Sequence, residues 1–249
     1  MYAQETEVIE EGAQPIKAAT ILFIAGTIIF ITLIAYVIVR LARSGAAEKK
    51  QEGLQDKPVF SEETVNAPEG LFYDRTHTWV FMEKDGNVRV GIDDFLQHIT
   101  GKVTKLKMKE PGQRLERGEY LATLIQDGKQ LTVYSPVTGV VTENNSELAG
   151  RTGLINKDPY SGGWLYRVKP DNWMKETRKY FLGDSYNTYL KDEFARLKDF
   201  IATRVKKEDF EYSHVILQDG GEVKDNLLEE FEPDLWEEFQ LRFINPANK

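Results

Sequence analysis

Residues 78–92 read Thr-Trp-Val-Phe-Met-Glu-Lys-Asp-Gly-Asn-Val-Arg-Val-Gly-Ile. Two β-rich runs, Thr78–Lys84 and Asn87–Ile92, are split by Asp85-Gly86. Asp-Gly between such runs predicts a hairpin with positive φ at both turn residues. The pattern repeats downstream. Lys102–Met108 alternates charged and apolar residues, as a half-buried strand does, and Pro111-Gly112 turns the chain. Tyr120–Ile125 and Gln130–Tyr134 make a second predicted hairpin around Gln126-Asp127-Gly128-Lys129. Ser135-Pro136 and Thr138-Gly139 punctuate the next strand, Val140–Thr142, and Trp164–Lys169 is the last. Short strands at this spacing predict a small barrel or sandwich, not a parallel sheet with crossover helices.

Upstream, Ala18–Val39 is an uncharged run, AATILFIAGTIIFITLIAYVIV. Its 22 residues at about 1.5 Å each give a helix of roughly 33 Å, enough for a hydrocarbon core of about 30 Å. A cleavable signal peptide would have a basic start and a shorter apolar run. Here the start carries Glu5, Glu7, Glu10 and Glu11. The run therefore predicts a single membrane-spanning helix over 18–39. Lys17 stands alone on its N-terminal side, whereas Arg40, Arg43, Lys49, Lys50 and Lys57 follow it. Basic flanks stay on the cytoplasmic side. The expectation is a short extracytoplasmic segment (1–17), a polar tether (40–69) and a cytoplasmic remainder.

The chain has 249 residues, 29% charged and 41% hydrophobic, with 40 acidic and 32 basic side chains. That composition excludes a wholly disordered chain. A net charge of −8 argues against nucleic acid as the partner, because no basic excess exists to neutralise phosphates. The absence of cysteine excludes disulfides, Cys-ligated zinc and cysteine nucleophiles.

The residues from about Gly70 to Asp171 resemble the glycine cleavage system H protein family. Thr76-His77-Thr78-Trp79-Val80 looks like that family's HEW-type start, and Val90-Gly91-Ile92-Asp93-Asp94-Phe95 is similar to its VGITDYAQ segment. Gly101-Lys102-Val103, Glu110-Pro111-Gly112, Arg117-Gly118-Glu119 and Tyr134-Ser135-Pro136-Val137-Thr138-Gly139 follow in order. Asn156–Leu165, NKDPYSGGWL, is the most specific piece, close to NEDPYGEGWL. The resemblance implies a β-barrel-sandwich hybrid, lipoyl-like, that presents a lysine on a hairpin tip for lipoylation. The whole is then α+β: an N-terminal transmembrane helix, the domain over 70–171, and a helical extension over 172–249.

The resemblance fails at the carrier lysine. Between Gly118 and Pro136 the family's E-S-V-K-A tip is replaced by Gln126-Asp127-Gly128-Lys129, and the position of the family's lysine is Gly128. Lys129 stands one residue later. One step re-aims a side chain toward the other face of a hairpin. Two readings follow: Lys129 is lipoylated despite the shift, or Asp127-Gly128-Lys129 is a tight hairpin turned into a docking surface without cofactor.

In the extension, Leu190, Phe194, Leu197, Ile201 and Val205 recur at steps of three and four and predict an amphipathic helix over 186–205. Asp219-Gly220-Gly221 breaks the chain. Leu227–Phe231 and Leu235–Phe243 read as two shorter helical pieces around Pro233. Trp236, Phe239 and Phe243 either pack on the barrel or anchor a partner, since interfaces favour aromatic anchors. Glu229, Glu230, Glu232, Glu237 and Glu238 are an acidic docking strip or a solvated face. His77, His98 and His214 have no ligand spacing, and no phosphate loop or nucleophile elbow is present. Asp93 and Asp94 are adjacent and do not face each other on a helix. No enzyme is expected.

The expected function is a membrane-anchored scaffold or docking subunit of a cytoplasmic-face complex, of a redox or respiratory kind, with other protein subunits as partners. The alternative is a lipoylated carrier using Lys129 in a glycine-cleavage-like system. A membrane-fusion-type transport adaptor fits poorly, because the orientation is reversed and no long heptad hairpin interrupts the domain.

Overall fold

The computed structural model describes residues 21–23, 26, 28–38, 59–205, 217–218 and 222–248. The chain divides into two units, Met1–Asp56 and Lys57–Lys249. In the first, helix α1 (Ile21–Ile38) is long and apolar enough to cross a membrane, by length and composition. Its described apolar side chains are exposed, Phe23 at 74% and Ile29 at 66%. The flanks that set the expected orientation, Lys17 and Arg40 to Lys57, lie outside the described residues, as do Val205's side chain, His214 and Asp219-Gly220-Gly221.

The second unit is built on two antiparallel sheets and a small third one. The large sheet has the order β2-β3-β4-β10-β9-β6, from Phe72–Asp74, Thr78–Met82, Val88–Ile92, Tyr166–Pro170, Gly139–Asn144 and Arg114–Leu115. The second has the order β5-β7-β8, from Lys105–Met108, Tyr120–Gln126 and Lys129–Tyr134. Their inner faces bury Trp79, Val90, Leu124, Leu131, Val133 and Tyr166 in one core. Across β3 and β4, Trp79 pairs with Gly91. A Cβ there would stand 2.6 Å from the indole, so only glycine lets the ring lie flat on the neighbouring strand. On the free edge, β5 exposes Lys105 and Lys107 on one face, a charge pattern that discourages edge-to-edge pairing.

The seven strands expected from the β-rich runs and the turn residues between them are present, with ends shifted by a few residues. The first hairpin corrects one detail. Asp85 does not take positive φ; only Gly86 does, at 84°. Glu83 and Asn87 close the loop, with Gly86 N–H donating to Glu83 O at 3.1 Å and Glu83 N–H to Asn87 O at 2.8 Å. This is a longer turn with the glycine in the left-handed position, not the two-residue turn expected.

Three helices link sheet and extension: α2 (Asp94–Thr100), α3 (Leu154–Lys157) and α4 (Trp173–Glu176). Helix α5 (Asp184–Val205) then buries Tyr186, Leu190, Phe194, Leu197 and Ile201. The stripe read from the sequence is this face. Beyond it come β11 (Leu217–Gln218), β12 (Glu222–Lys224), a 3-10 turn at Leu227–Glu230, α6 (Pro233–Phe239) and a π-helical turn at Gln240–Ile244. Strands β1 (Val59–Phe60), β12 and β11 form the third sheet in that order. The extension shares the barrel's core: Val223, Leu228, Trp236, Phe239 and Ile244 are all buried in the same cluster as the strands.

Candidate functional site

The tip of the β7–β8 hairpin is a two-residue turn. Asp127 has φ of 48° and Gly128 of 89°, and Gln126 pairs with Lys129 across it. Both turn residues have positive φ, as the favoured hairpin turn needs. Gly128 is exposed, and a Cβ on it would meet nothing within 4 Å. Lys129 begins β8. It lies on the face of Leu131 and Val133, both fully buried, while Gln130 is exposed on the opposite face. Side chains alternate along a strand. The single-residue displacement has moved the amine from the tip to the inner side.

There the amine is fully engaged. Lys129 Nζ donates to the carbonyls of Glu229 at 2.8 Å, Phe231 at 3.1 Å and Leu228 at 3.3 Å. An ammonium has three N–H donors, so every one has an acceptor. The charge also stands 5.3 Å from the Trp236 ring centroid, within cation–π range. A lipoyl amide needs this nitrogen free to be acylated. In this arrangement Lys129 does not fit that group.

The segment that supplies the carbonyls is held by side chains from the barrel. Glu229 Oε1 accepts from Lys102 N–H at 2.7 Å and from Gln126 Nε2 at 2.8 Å. Gly101 lies directly beneath it, where a Cβ would collide with the Glu229 side chain. Trp236 Nε1–H donates to Leu228 O at 2.7 Å. Further along, Gln240 Oε1 accepts from Thr132 N–H at 2.7 Å and so caps the free edge of β8. The expectation that Trp236, Phe239 and Phe243 anchor a partner is corrected here. They are at most 2% exposed, and Phe243 and Phe239 stack at 4.9 Å with Phe200 against them. These anchors face the chain's own barrel. Of the expected interaction residues, Asp127 and Gly128 alone remain at the surface. The acidic run divides likewise: Glu229 lies in the cage, Glu230 pairs with Lys224 at 2.5 Å and Glu238 with Arg242 at 2.8 Å, while Glu232 and Glu237 are exposed.

His98 holds the entry to this segment. Its Nδ1 lies 2.7 Å from Asp225 Oδ1 and its Nε2 3.5 Å from Asp94 Oδ2. Its carbonyl accepts from Asn226 N–H at 2.8 Å. Burial alone would lower the imidazole pKa, but the hydrogen bonds to Asp225 and Asp94 outweigh it and carry it from 6.5 to about 9. His98 is therefore a cation at neutral pH.

A second buried cluster ties α5 to the barrel. Asp93 caps α2 through Leu96 N–H at 2.8 Å. Its other oxygen takes Tyr186 O–H at 2.6 Å and faces His77 Nδ1 at 2.9 Å. His77, Asp93 and Tyr186 have no solvent exposure. Burial first, and the nearby Asp93 charge second, hold the Tyr186 hydroxyl protonated. Asp94 points elsewhere, to His98, Asn66 and Gln97, so the adjacent pair does not act as one. The set is internal, and its work is to fix helix to sheet.

Sequence reading placed Glu229 in an acidic strip and His98 among isolated histidines, and missed the three carbonyls. Backbone carbonyls have no sequence signature, and His98 finds Asp225 only through the tertiary fold.

Residues 71–193 match the family model described as Glycine cleavage H-protein. This match runs past 171 into α5, so the helical continuation is in part shared with the family. A probable glycine cleavage system H protein of Pyrococcus abyssi is 36% identical over 123 residues, covering 49% of this chain and 91% of that protein. A glycine cleavage system H protein of Thermus thermophilus is 33% identical over 129 residues, covering 52% of this chain and 99% of that protein. Among solved structures, the glycine cleavage system H protein of Mycobacterium marinum has a TM-score of 0.44 at 25% identity, covering 48% of this chain and 95% of that one.

Proposed function

Because the chain belongs to the glycine cleavage H-protein family, we propose that it is a non-carrier member: an H-protein-like scaffold whose lysine hairpin is closed by its own C-terminal segment. The observation that carries this reading is the Lys129 ammonium, which donates to three carbonyls of residues 228–231. The family's lysine position is held by Gly128, which has no amine to modify. The domain then works by presenting surfaces to other subunits, with no chemistry and no lipoyl group of its own. The apolar helix α1 anchors it in a membrane, and the basic residues after that helix put the domain on the cytoplasmic face. The complex it serves is of a redox or respiratory kind.

Family membership also favours a second reading, a tethered carrier lipoylated on Lys129. It requires the cage of residues 228–231 to open. Mass spectrometry of the Lys129 peptide, from protein taken out of its native membrane, separates the two. The expected result is an unmodified lysine at full peptide coverage in lipoylation-competent cells. A lipoyl-amide increment on Lys129 overturns the scaffold reading. Protease digestion of sealed, right-side-out vesicles tests the topology: the domain is expected to be protected, and its digestion from outside overturns the cytoplasmic placement.

A further inference from the structure

The turn that follows β10 reverses the charge of the chain locally. Between Asn172 and Gly183 stand three basic residues, Lys175, Arg178 and Lys179, and one acidic residue, Glu176, in a chain whose net charge is −8. Helix α4 and the 3-10 turn Thr177–Lys179 that continues it sort them by sign. Glu176 is buried, with Arg117 Nη1 at 3.1 Å. Lys175, Arg178 and Lys179 are exposed. Lys179 approaches Glu176 only to 3.9 Å, and among the described residues Lys175 and Arg178 have no carboxylate within ion-pair distance.

The apolar side chains are sorted too. Trp173 and Tyr180 pack on Phe72, with ring centroids at 5.0 and 5.8 Å. Tyr180 O–H donates to Pro136 O at 2.8 Å, and Asn172 Oδ1 accepts from Lys175 N–H at 3.0 Å. Met174 is left outside at 72% exposure, and Leu182 beyond the turn is 45% exposed. The turn is thus fixed from within while its outer side carries three cations and an uncovered methionine. An exposed methionine alone asks for no partner. Next to cations whose own carboxylate is buried, it makes a surface suited to a lipid headgroup layer, where Lys and Arg stems lie along apolar surface and their charges stay at the phosphates.

The rest of the chain supplies the bilayer. Residues 39–58 separate the apolar helix α1 from β1, and such a stretch spans at most about 70 Å when fully extended. A chain anchored by α1 keeps a bilayer within reach of the domain at high effective concentration.

We propose that the α4 turn is a lipid-headgroup contact: Lys175, Arg178 and Lys179 bind the phosphates of an anionic bilayer, and Met174 enters the interface beside them. This rests on the membrane anchoring proposed above and adds a second, electrostatic attachment that docks the domain on its own membrane. Each cation near an anionic surface favours it about five-fold, so three favour it by about a hundred-fold over a neutral one.

The test uses the full-length protein in nanodiscs of phosphatidylcholine, alone or mixed with phosphatidylglycerol. The chain has no cysteine, so Met174→Cys carries a single dye, and a doxyl-labelled lipid quenches that dye where it meets the bilayer. Quenching at 174 is expected to be about three-fold or more stronger with phosphatidylglycerol. Lys175→Gln, Arg178→Gln and Lys179→Gln together are expected to return it to the phosphatidylcholine level. The same dye at Lys107→Cys, among the exposed lysines of β5, is expected to stay unquenched in both. No quenching at 174, equal quenching in the two lipids, quenching at 107 instead, or full quenching in the triple variant each overturns the contact and leaves the anchor standing. A dye at 174 that responds to soluble polyglutamate and not to phosphatidylglycerol assigns the turn to an acidic protein and overturns the contact as well. Release of the unaltered chain from vesicles by alkaline carbonate overturns the anchor itself, and the headgroup contact with it.

Discussion

The domain contains two hairpins turned on Asp-Gly, and they have opposite fates. At Asp85-Gly86 the turn is a longer loop that ends in solvent, with Lys84 exposed beside it. Asp85 closes it locally by accepting from Asn87 N–H at 3.0 Å and Asn87 Nδ2 at 2.8 Å. At Asp127-Gly128 the turn is the tight two-residue form, and Lys129 beside it is taken up by a segment 99 to 102 residues away. One dipeptide makes both turns. What differs is what packs against them: at the first turn one side chain of the neighbouring strand, Arg167, reaches Glu83 at 2.9 Å, whereas the second carries α6 and the cage along β8.

The largest break in this contrast is expected at Trp236. Trp236→Ala removes a buried ring, the hydrogen bond to Leu228 O and the lid over Lys129. It should cost about 3–5 kcal/mol of unfolding free energy in urea denaturation. The first hairpin offers no equivalent. Next comes the lysine pair. Lys129→Met takes the ammonium from the carbonyls of Glu229 and Phe231, while Leu228 O keeps the Trp236 N–H; it should cost roughly 2 kcal/mol, whereas Lys84→Met should stay within about 0.5 kcal/mol. Equal effects at the two sites would show that the cage contributes nothing to folding.

pH gives a third test. The folded pKa of His98 lies above its ordinary 6.5, at about 9. Its contribution is therefore complete below pH 6.5 and is lost as pH rises through 9. His98→Gln should cost roughly 1–2 kcal/mol at about pH 6, and the gap to the unaltered protein should close by about pH 10. Stability measured across pH at constant ionic strength checks this; a gap that does not narrow removes the charged pair from the account.

The smallest change sharpens the comparison at the tip. Gly128→Lys restores an amine at the family's position. The positive φ there should cost about 1 kcal/mol. The new lysine should acylate as fast as Lys84, while Lys129 in the same molecule stays slow. Similar rates at 128 and 129 would mean that face and depth do not distinguish the two positions.

The long strands were legible because a β-rich run bounded by turn residues is a local signal, and β3, β7 and β8 each run for five or more residues. Strands β1, β2, β6, β11 and β12 have two or three residues each and carry no period to read. The stripe Leu190–Phe194–Leu197–Ile201 gave the buried face of α5 correctly. The spacing of Trp236, Phe239 and Phe243 gave a helix as well. It did not give the surface they cover, because a periodic face names a side of a helix and not its neighbour.

The sequence by itself determined where both hairpins turn, through Asp-Gly, and the form of the second, in which Asp127 and Gly128 both take positive φ. It determined the apolar helix near the N-terminus, through length and the absence of charge. It also determined that Lys129 faces away from the family's tip, since a strand's side chains alternate with a period of two and a single step reverses the face. The tertiary structure alone decided what the amine meets there. Its acceptors are main-chain carbonyls, which every residue carries, and only the docking of the Trp236 helix onto β8 selects Leu228, Glu229 and Phe231 from among them.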